Sequence, residues 1–134
     1  MNRVLAIDYG EKKVGLALSD PLKIIAKPYK TIDNSCNEQL INDFNTIINN
    51  KNVDEIVIGL PVTMKNSHSK QTDNVNKFID LLKTKIKIKV TVVDERLSSI
   101  EAKKSLVNQG IKTGHNKKDV DMTAAALILQ SYLN

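Results

Sequence analysis

The opening stretch of the chain, Met1–Gly15, constrains the fold more than any other part of the sequence. A short strand-like run, Arg3–Ile7, ends on a lone acid, Asp8. Gly10 follows in a predicted tight turn, and Lys13–Ser19 has the composition of a second strand. This pattern predicts a hairpin whose end presents a carboxylate. We interpret Asp8 as the first ligand of a metal site.

Hydrophobic periodicity divides the rest of the chain into strands and helices. The predicted strands are 24–32, 53–60 and 87–94, and the predicted helices are 37–50, 69–85, 98–108 and 117–133. Pro28 places the first of these strands at a sheet edge or at a bulge. The order of elements predicts an α/β fold, with a mixed sheet covered by helices, in a single domain over residues 1–134.

The charge of the chain favours a polyanionic partner such as nucleic acid. The formal net charge is +5 and the pI is about 9.3. Only two of the 20 basic residues, Arg3 and Arg96, are arginine, so each of these is more informative than any single lysine. A solvated, lysine-rich surface explains the same charge and stays open as an alternative.

Cysteine content and hydropathy indicate the compartment. The single cysteine, Cys36, excludes an internal disulfide framework and is typical of a reducing cytosol. No apolar run reaches the length of a signal peptide core or a membrane span. We therefore expect a cytoplasmic protein, present as a monomer or a weak dimer.

Acidic residues at three places form the candidate reactive site. Asp8 and the pair Asp94–Glu95 follow strands, and ligands gather at the carboxyl ends of parallel strands. Asp121 shares a helical face with Ala124 and Ala125, whose small side chains would let the helix lie close to the sheet. Converging carboxylates repel one another unless a cation such as Mg²⁺ or Mn²⁺ lies between them. Two such ions can activate water and stabilise the leaving oxygen of a phosphodiester.

Each acid also has a purely structural explanation. Asp8 can cap its own turn, and Asp94–Glu95–Arg96 can be a solvated strand end. Asp119 and Asp121 lie in the first turns of a helix, where acids offset the macrodipole. We accept that explanation for Asp119. For Asp121 we favour function, because its face is otherwise apolar.

Four blocks of the sequence together resemble the YqgF/RuvX family of nucleases, which have an RNase H-like fold. The blocks are 8–17, 59–61, 94–99 and 118–121, the last leading into 124–133. The resemblance implies a mixed five-stranded sheet in which the second strand is antiparallel to the others. It also implies metal-dependent cleavage by an acidic site at Asp8, Asp94, Glu95 and Asp121, with Asp8, Glu95 and Asp121 as ligands of Mg²⁺ or Mn²⁺.

The same resemblance implies a nucleic-acid substrate. Members of the family are linked to maturation of the 5′ end of pre-16S ribosomal RNA, and their relation to RuvC makes branched DNA the alternative. The basic residues expected to contact the phosphate backbone are Lys13, Lys65, Lys70, Arg96, Lys117 and Lys118. Lys13 stands where the family usually has arginine, which retains the charge but loses the planar fork. For Arg96, an ordinary salt bridge stays open as an alternative.

Two functions of other classes also remain. RNase H-like sheets build actin-type ATPases and sugar kinases, but these need two such domains and this chain has room for one. A non-catalytic RNA-binding module is the other. The leading hypothesis is a Mg²⁺-dependent endonuclease acting on structured RNA.

Overall fold

The structure, a computed structural model, describes residues 2–60, 70–94 and 117–134, with side chains described for 2–59, 73–93 and 123–134. Within these ranges, the strands and helices follow one another in the predicted order. In chain order they are β1 (Arg3–Tyr9), β2 (Lys13–Ser19), β3 (Ala26–Asp33), α1 (Asn37–Lys51), β4 (Val53–Leu60), α2 (Lys70–Lys85), β5 (Lys89–Asp94) and α3 (Lys117–Leu133). The further helix predicted over 98–108 lies outside the described residues.

The five strands form one mixed sheet in the order β3-β2-β1-β4-β5. β2 is antiparallel to both of its neighbours, β1 and β3, whereas β4 is parallel to β1 and to β5. Of the described strands, β2 alone therefore runs against the others. This arrangement confirms the predicted α/β class and the antiparallel second strand.

The edge strand β3 contains the predicted irregularity at Pro28. Lys30 lies opposite Leu16 but Pro28 lies opposite Ala17, so Tyr29 is one extra residue on this strand. Proline has no backbone N–H to donate to a ladder, and it is tolerated here because β3 has a neighbour on one side only among the described strands. Both expectations for Pro28, an edge position and a bulge, are confirmed.

Alternation along the strands sends side chains into two apolar layers. On one face, Leu5 and Ile7 pack beneath α1 and α2 in a layer that includes Phe44 and Phe78. These two rings meet edge to face, with centroids 6.0 Å apart. The apolar stripes predicted for both helices are therefore the faces that cover this side of the sheet.

The opposite face is covered by α3 and is built from smaller residues. Ala6 and Ala17 of the sheet are fully buried against a layer that contains Ala125 and Ala126 of the helix. Short side chains on both surfaces let a helix lie close to the strands beneath it. The close approach expected from the alanines of this helix is therefore observed.

Local caps explain where α1 begins and ends. The Cys36 thiol accepts a hydrogen bond from the Gln39 N–H at 3.4 Å. At the other end, Asn52 is left-handed (φ 55°) and donates its N–H to the Ile48 carbonyl, so the helix continues to Lys51.

The strand β5 begins at Lys89, two residues later than predicted. The Ile86 N–H donates to the Leu82 carbonyl, which extends the last turn beyond α2 and delays the start of the ladder. No helix among the described residues is both long and apolar enough to cross a membrane.

Candidate active site

Three parallel strands end at the same edge of the sheet, and Asp8 and the backbone of Asp94 lie at that edge. In the observed register Ile7 lies opposite Ile58, and Gly59 lies opposite Val93. One step further along, Asp8 is the neighbour of Gly59. Adjacent strands are about 4.8 Å apart, so the backbones at Asp8 and Val93 are roughly 10 Å apart across the sheet.

The face on which Asp8 lies follows from strand alternation. Val4 and Ala6 lie in the layer beneath α3, whereas Leu5 and Ile7 lie in the layer on the opposite face. Asp8 continues the first series and therefore shares the face covered by α3. Its side chain is half-buried.

Asp8 has glycine neighbours on both adjacent strands. Gly15 lies directly opposite it on β2, and Gly59 is its neighbour on β4. Residues directly across a sheet project from the same face, so one side chain is missing on each side of the carboxylate. This leaves space in which a cation or a phosphate oxygen could approach Asp8.

The turn that follows Asp8 is held on its other face by an aromatic contact. The Tyr9 ring stacks on Phe78 with centroids 4.5 Å apart and planes 27° apart. Its hydroxyl donates to Asn37 Oδ1 at 3.4 Å. The residue next to Asp8 is therefore fixed to both helices of that layer.

A second set of contacts fixes the tip of the turn. Asn34 Nδ2 donates to the Gly10 carbonyl at 2.7 Å, and the Asn34 N–H donates to the Lys12 carbonyl at 2.9 Å. A Cβ placed on Gly10 would lie 2.5 Å from the Lys13 carbonyl oxygen. Sequence reasoning missed Asn34. Its position between the predicted strand 24–32 and the predicted helix 37–50 was visible, but a partner 24 residues away was not.

The direction of α3 is set by bonds at its C-terminal end. Gln130 Oε1 accepts from the Ala26 N–H at 2.9 Å, and its Nε2 donates to the Ile24 carbonyl at 3.0 Å. The Tyr132 hydroxyl donates to Glu55 Oε2 at 2.5 Å. All these partners lie at the edge where β3 and β4 begin, so the N-terminal half of the helix extends towards the edge that carries Asp8.

The length of α3 from Gln130 back to position 121 matches the length of β1 from Val4 to Asp8. Position 121 precedes Gln130 by nine residues, or about 13.5 Å of helix. Asp8 lies four residues beyond Val4, or roughly 13.5 Å of strand. Val4 lies level with the start of β3, because its N–H bonds to Ser19 Oγ and Ser19 pairs with Ala26. Position 121 also belongs to the helical stripe that carries the buried Ala125 and Leu129.

For most of the other predicted site residues the structure describes no side chain. No group of three or more His, Cys, Asp or Glu side chains that could hold a metal occurs among the described ones. For five predicted residues only the backbone is described, namely Lys70, Asp94, Lys117, Lys118 and Asp121. Three lie outside the described residues altogether, namely Lys65, Glu95 and Arg96.

Lys13 is the one predicted basic contact whose side chain is described. Its Nζ lies 3.0 Å from Asp33 Oδ1, and the two side chains are 40% and 80% exposed. An ion pair this exposed contributes about 1 kcal/mol or less. Lys13 can therefore exchange Asp33 for a phosphate at little cost.

Sequence comparison finds relatives that match the whole length of the chain. The sequence profile of a family described as "RuvX: Holliday junction resolvase" matches residues 2–134. A Maridesulfovibrio salexigens protein named "Putative pre-16S rRNA nuclease" is 39% identical over 131 residues, which cover 98% of this chain and 97% of that protein. An Endomicrobium trichonymphae protein of the same name is 38% identical and covers 100% of this chain and 96% of its own.

Comparison of folds finds Holliday junction resolvases. The structure of T. thermophilus RuvC in complex with Holliday junction substrate has a TM-score of 0.63 at 10% identity, covering 98% of this chain and 92% of that chain. The fowlpox virus Holliday junction resolvase has a TM-score of 0.54 at 13% identity, covering 98% and 97%. Identities this low show the fold alone. That fold is RNase H-like, as the sequence resemblance implied.

Proposed function

The chain belongs to the RuvX family, and from this membership we propose that it is a metal-dependent nuclease that hydrolyses phosphodiester bonds. The observation that carries the proposal is the setting of Asp8. Its half-buried carboxylate lies at a strand end between two glycines, on the face and edge towards which the N-terminal half of α3 extends. The whole of residues 1–134 acts as one RNase H-like domain in this proposal.

The residues that would hold the metal are Asp8, Glu95 and Asp121. Carboxylate oxygens are the ligands that Mg²⁺ and Mn²⁺ prefer, and the missing side chains at Gly15 and Gly59 leave space beside Asp8. A bound divalent pair would supply an activated water and would stabilise the leaving oxygen of the phosphodiester. In the protein, Asp8 is held in position by the turn that Tyr9 fixes against Phe78.

Strand alternation in β5 supports Glu95 as the ligand in preference to Asp94. Val90 and Val92 pack against the layer beneath α1 and α2, whereas Val93 packs against the layer beneath α3. Strand alternation, if extended by two residues from Val93, predicts that position 95 shares the face of Asp8. We therefore assign metal binding to Glu95 and keep Asp94 as a neighbouring catalytic acid.

The proposed substrate is the precursor of 16S ribosomal RNA, cleaved during maturation of its 5′ end in the cytoplasm. The names of the relatives support this choice. The basic residues that would contact its phosphates are Lys13, Lys65, Lys70, Arg96, Lys117 and Lys118. Branched DNA is the second candidate, because the family itself is described as a Holliday junction resolvase.

The decisive experiment compares Asp8→Asn with Asp80→Asn, a matched change at an exposed position on α2. Each purified variant is incubated with a pre-16S RNA fragment and with a four-way DNA junction, with Mg²⁺ or with EDTA. We expect the wild type and Asp80→Asn to cleave only with Mg²⁺, and Asp8→Asn to lose at least a hundredfold in rate. Retention of cleavage by Asp8→Asn would refute the assignment.

The substrate arms separate the two candidates. Cleavage of the RNA alone supports ribosomal RNA processing, and cleavage of the junction alone supports a resolvase. Binding of RNA with no cleavage by any variant would favour the non-catalytic module.

A further inference from the structure

A basic cavity lies at one end of the sheet, and Asp8 lies at the other end. The cavity, of about 440 Å³, opens where β1 and β3 begin and α1 ends. Its lining includes three cations, Arg3, Lys27 and Lys51, together with Tyr29 and one carboxylate, Asp20. We call this cavity the distal pocket.

The three cations of the distal pocket have no acidic partner among the described residues. The ion pairs among the described residues are formed by other lysines, namely Lys13, Lys23 and Lys89. The Arg3 guanidinium makes one long hydrogen bond, from Nη1 to the Ser19 carbonyl at 3.3 Å. Most of its planar fork of five donors therefore remains able to bind an anion.

The only acid in the lining is committed to the backbone of its own loop. Asp20 Oδ1 accepts from the Ile24 N–H at 2.7 Å and from the Ile25 N–H at 2.9 Å. Slight burial raises the pKa of Asp20, but the hydrogen bonds from Ile25 and Ile24 outweigh it and leave the pKa below 3.8. The Asp20 carboxylate therefore binds the backbone of its own loop and forms no ion pair with the cations of the pocket.

Two lysine side chains lie near the ring of Tyr29, which lines the pocket. Lys30 Nζ lies 5.3 Å and Lys51 Nζ lies 5.8 Å from the centroid of its ring. Each cation is attracted to the ring, but the like charges around it repel one another. An anion bound among them would relieve that repulsion.

We propose that the distal pocket binds a backbone phosphate of the nucleic-acid substrate, at a distance from the reacting bond. The inference rests on the proposed nuclease function. Arg3 precedes Asp8 by five residues of β1, or about 17 Å, and this odd separation places Arg3 on the face covered by α1 and α2, opposite to the face of Asp8. Measured along the axis of a B-form duplex, this distance corresponds to roughly five base pairs. The planar guanidinium of Arg3 suits bidentate contact with phosphate, which a lysine cannot make.

The edge strand β3 offers a path between the two sites. Lys27 lies near its start, the exposed Lys30 lies in its middle, and Asp33 at its end is paired with Lys13. Lys27 and Lys30 are about 7 Å apart along the sheet, because Tyr29 is bulged between them. Lys13 on β2 lies about 10 Å beyond Lys30. A polynucleotide that lies along this edge would reach from the distal pocket to the edge that carries Asp8.

The test removes two charges from the pocket and compares the result with removal of two charges elsewhere. The pocket variant is Lys27→Gln with Lys51→Gln, and the control is Lys77→Gln with Lys83→Gln on α2. All four lysines are exposed, so both variants should fold, as circular dichroism will check. Both are made in the Asp8→Asn background, and binding of a fluorescent 20-base-pair RNA duplex is followed by anisotropy at several salt concentrations.

We expect the pocket variant to bind roughly tenfold more weakly at low salt and its salt slope to fall by about 1, because the contact with one backbone phosphate is lost. The control should bind as its parent does. Equal affinity and equal salt slope in the pocket variant and the control would overturn the proposal.

A competition arm identifies the source of the phosphate. Protection of Lys27 and Lys51 from acetylation by the duplex, but not by millimolar inorganic phosphate or a nucleoside monophosphate, supports a polynucleotide site. Equal protection by the small phosphates would overturn it. Binding is measured without cleavage, so failure of the nuclease assignment would appear separately, as activity retained by Asp8→Asn.

Discussion

At the scale of single residues, the space around Asp8 depends on neighbouring glycines, which have no side chain. Gly15 and Gly59 flank the carboxylate, and Gly10 allows the chain to turn immediately afterwards. Each glycine is a place where a side chain would occupy space that the candidate site or its turn requires.

Gly10→Ala tests how tightly the turn is built. The added Cβ would lie 2.5 Å from the Lys13 carbonyl oxygen, and this atom is backbone, so the hairpin must shift. We expect a loss of about 1–3 kcal/mol in the free energy of unfolding, as for other overpacked positions. Urea titration of Gly10→Ala and of Glu11→Ala, an exposed control in the same turn, measures it. Equal stability of the two variants would contradict the geometry.

At the scale of elements, α3 is the helix that brings the last part of the chain to the first strand. Its C-terminal end is anchored by Gln130 at the start of β3 and by Tyr132 at the start of β4. Glu55 also accepts from Thr91 Oγ1 at 2.8 Å, so Tyr132 joins a network that extends to β5. Weakening this anchor should loosen the helix before it affects the rest of the sheet.

Tyr132→Phe tests the anchor through its pH dependence. The hydrogen bond to Glu55, together with burial, raises the pKa of Tyr132 above its usual 10.0. The unfolded chain therefore loses this proton first as pH rises. The stabilisation is complete below pH 10 and is lost as pH rises through the higher pKa of the folded state.

We expect Tyr132→Phe to lose about 1 kcal/mol of stability at neutral pH and to show a flatter alkaline profile than the wild type. Urea titrations between pH 7 and 11 measure both effects. Glu55→Gln is the control, because it keeps an acceptor but removes the charge that raises the pKa. A constant difference between wild type and Tyr132→Phe across this range would contradict the interpretation.

At the scale of the whole molecule, the proposed metal site joins residues from the two ends of the chain. A cation that binds only the folded state stabilises it by mass action, by about 1.4 kcal/mol at ten times the dissociation constant. For a chain of this length, roughly 1 kcal/mol raises Tm by about 4 °C. Thermal stability should therefore report metal binding independently of cleavage.

We expect Mg²⁺ to raise the Tm of the wild type and of Asp80→Asn by several degrees, and to leave Asp8→Asn and Asp121→Asn unchanged. Without Mg²⁺, Asp8→Asn should be at least as stable as the wild type, because repulsion between carboxylates is reduced. Calorimetry with Mg²⁺ and with EDTA gives both values. If Mg²⁺ raised the Tm of Asp121→Asn as much as that of the wild type, Asp121 would not be a ligand of the metal. That result would contradict a site shared by the two ends of the chain.

Much of the fold could be predicted because its determinants are local. The apolar stripe of α1, the β-branched run of β4 and the proline of β3 each predict an element from a few neighbouring residues. The register of the sheet could not be predicted in the same way. Nothing local to Asp8 indicates that Gly59, about fifty positions later, is its neighbour.

The sequence by itself determined the strands, the helices, the hairpin after Asp8 and the family. These follow from side-chain periodicity, turn chemistry and motifs that need no knowledge of distant contacts. Only the tertiary structure decided which strands are adjacent, which face Asp8 shares with α3, and that a basic cavity forms around Arg3. Such features depend on pairings between residues as far as 106 positions apart, between Ile24 and Gln130, and these are fixed only when the whole core packs at once.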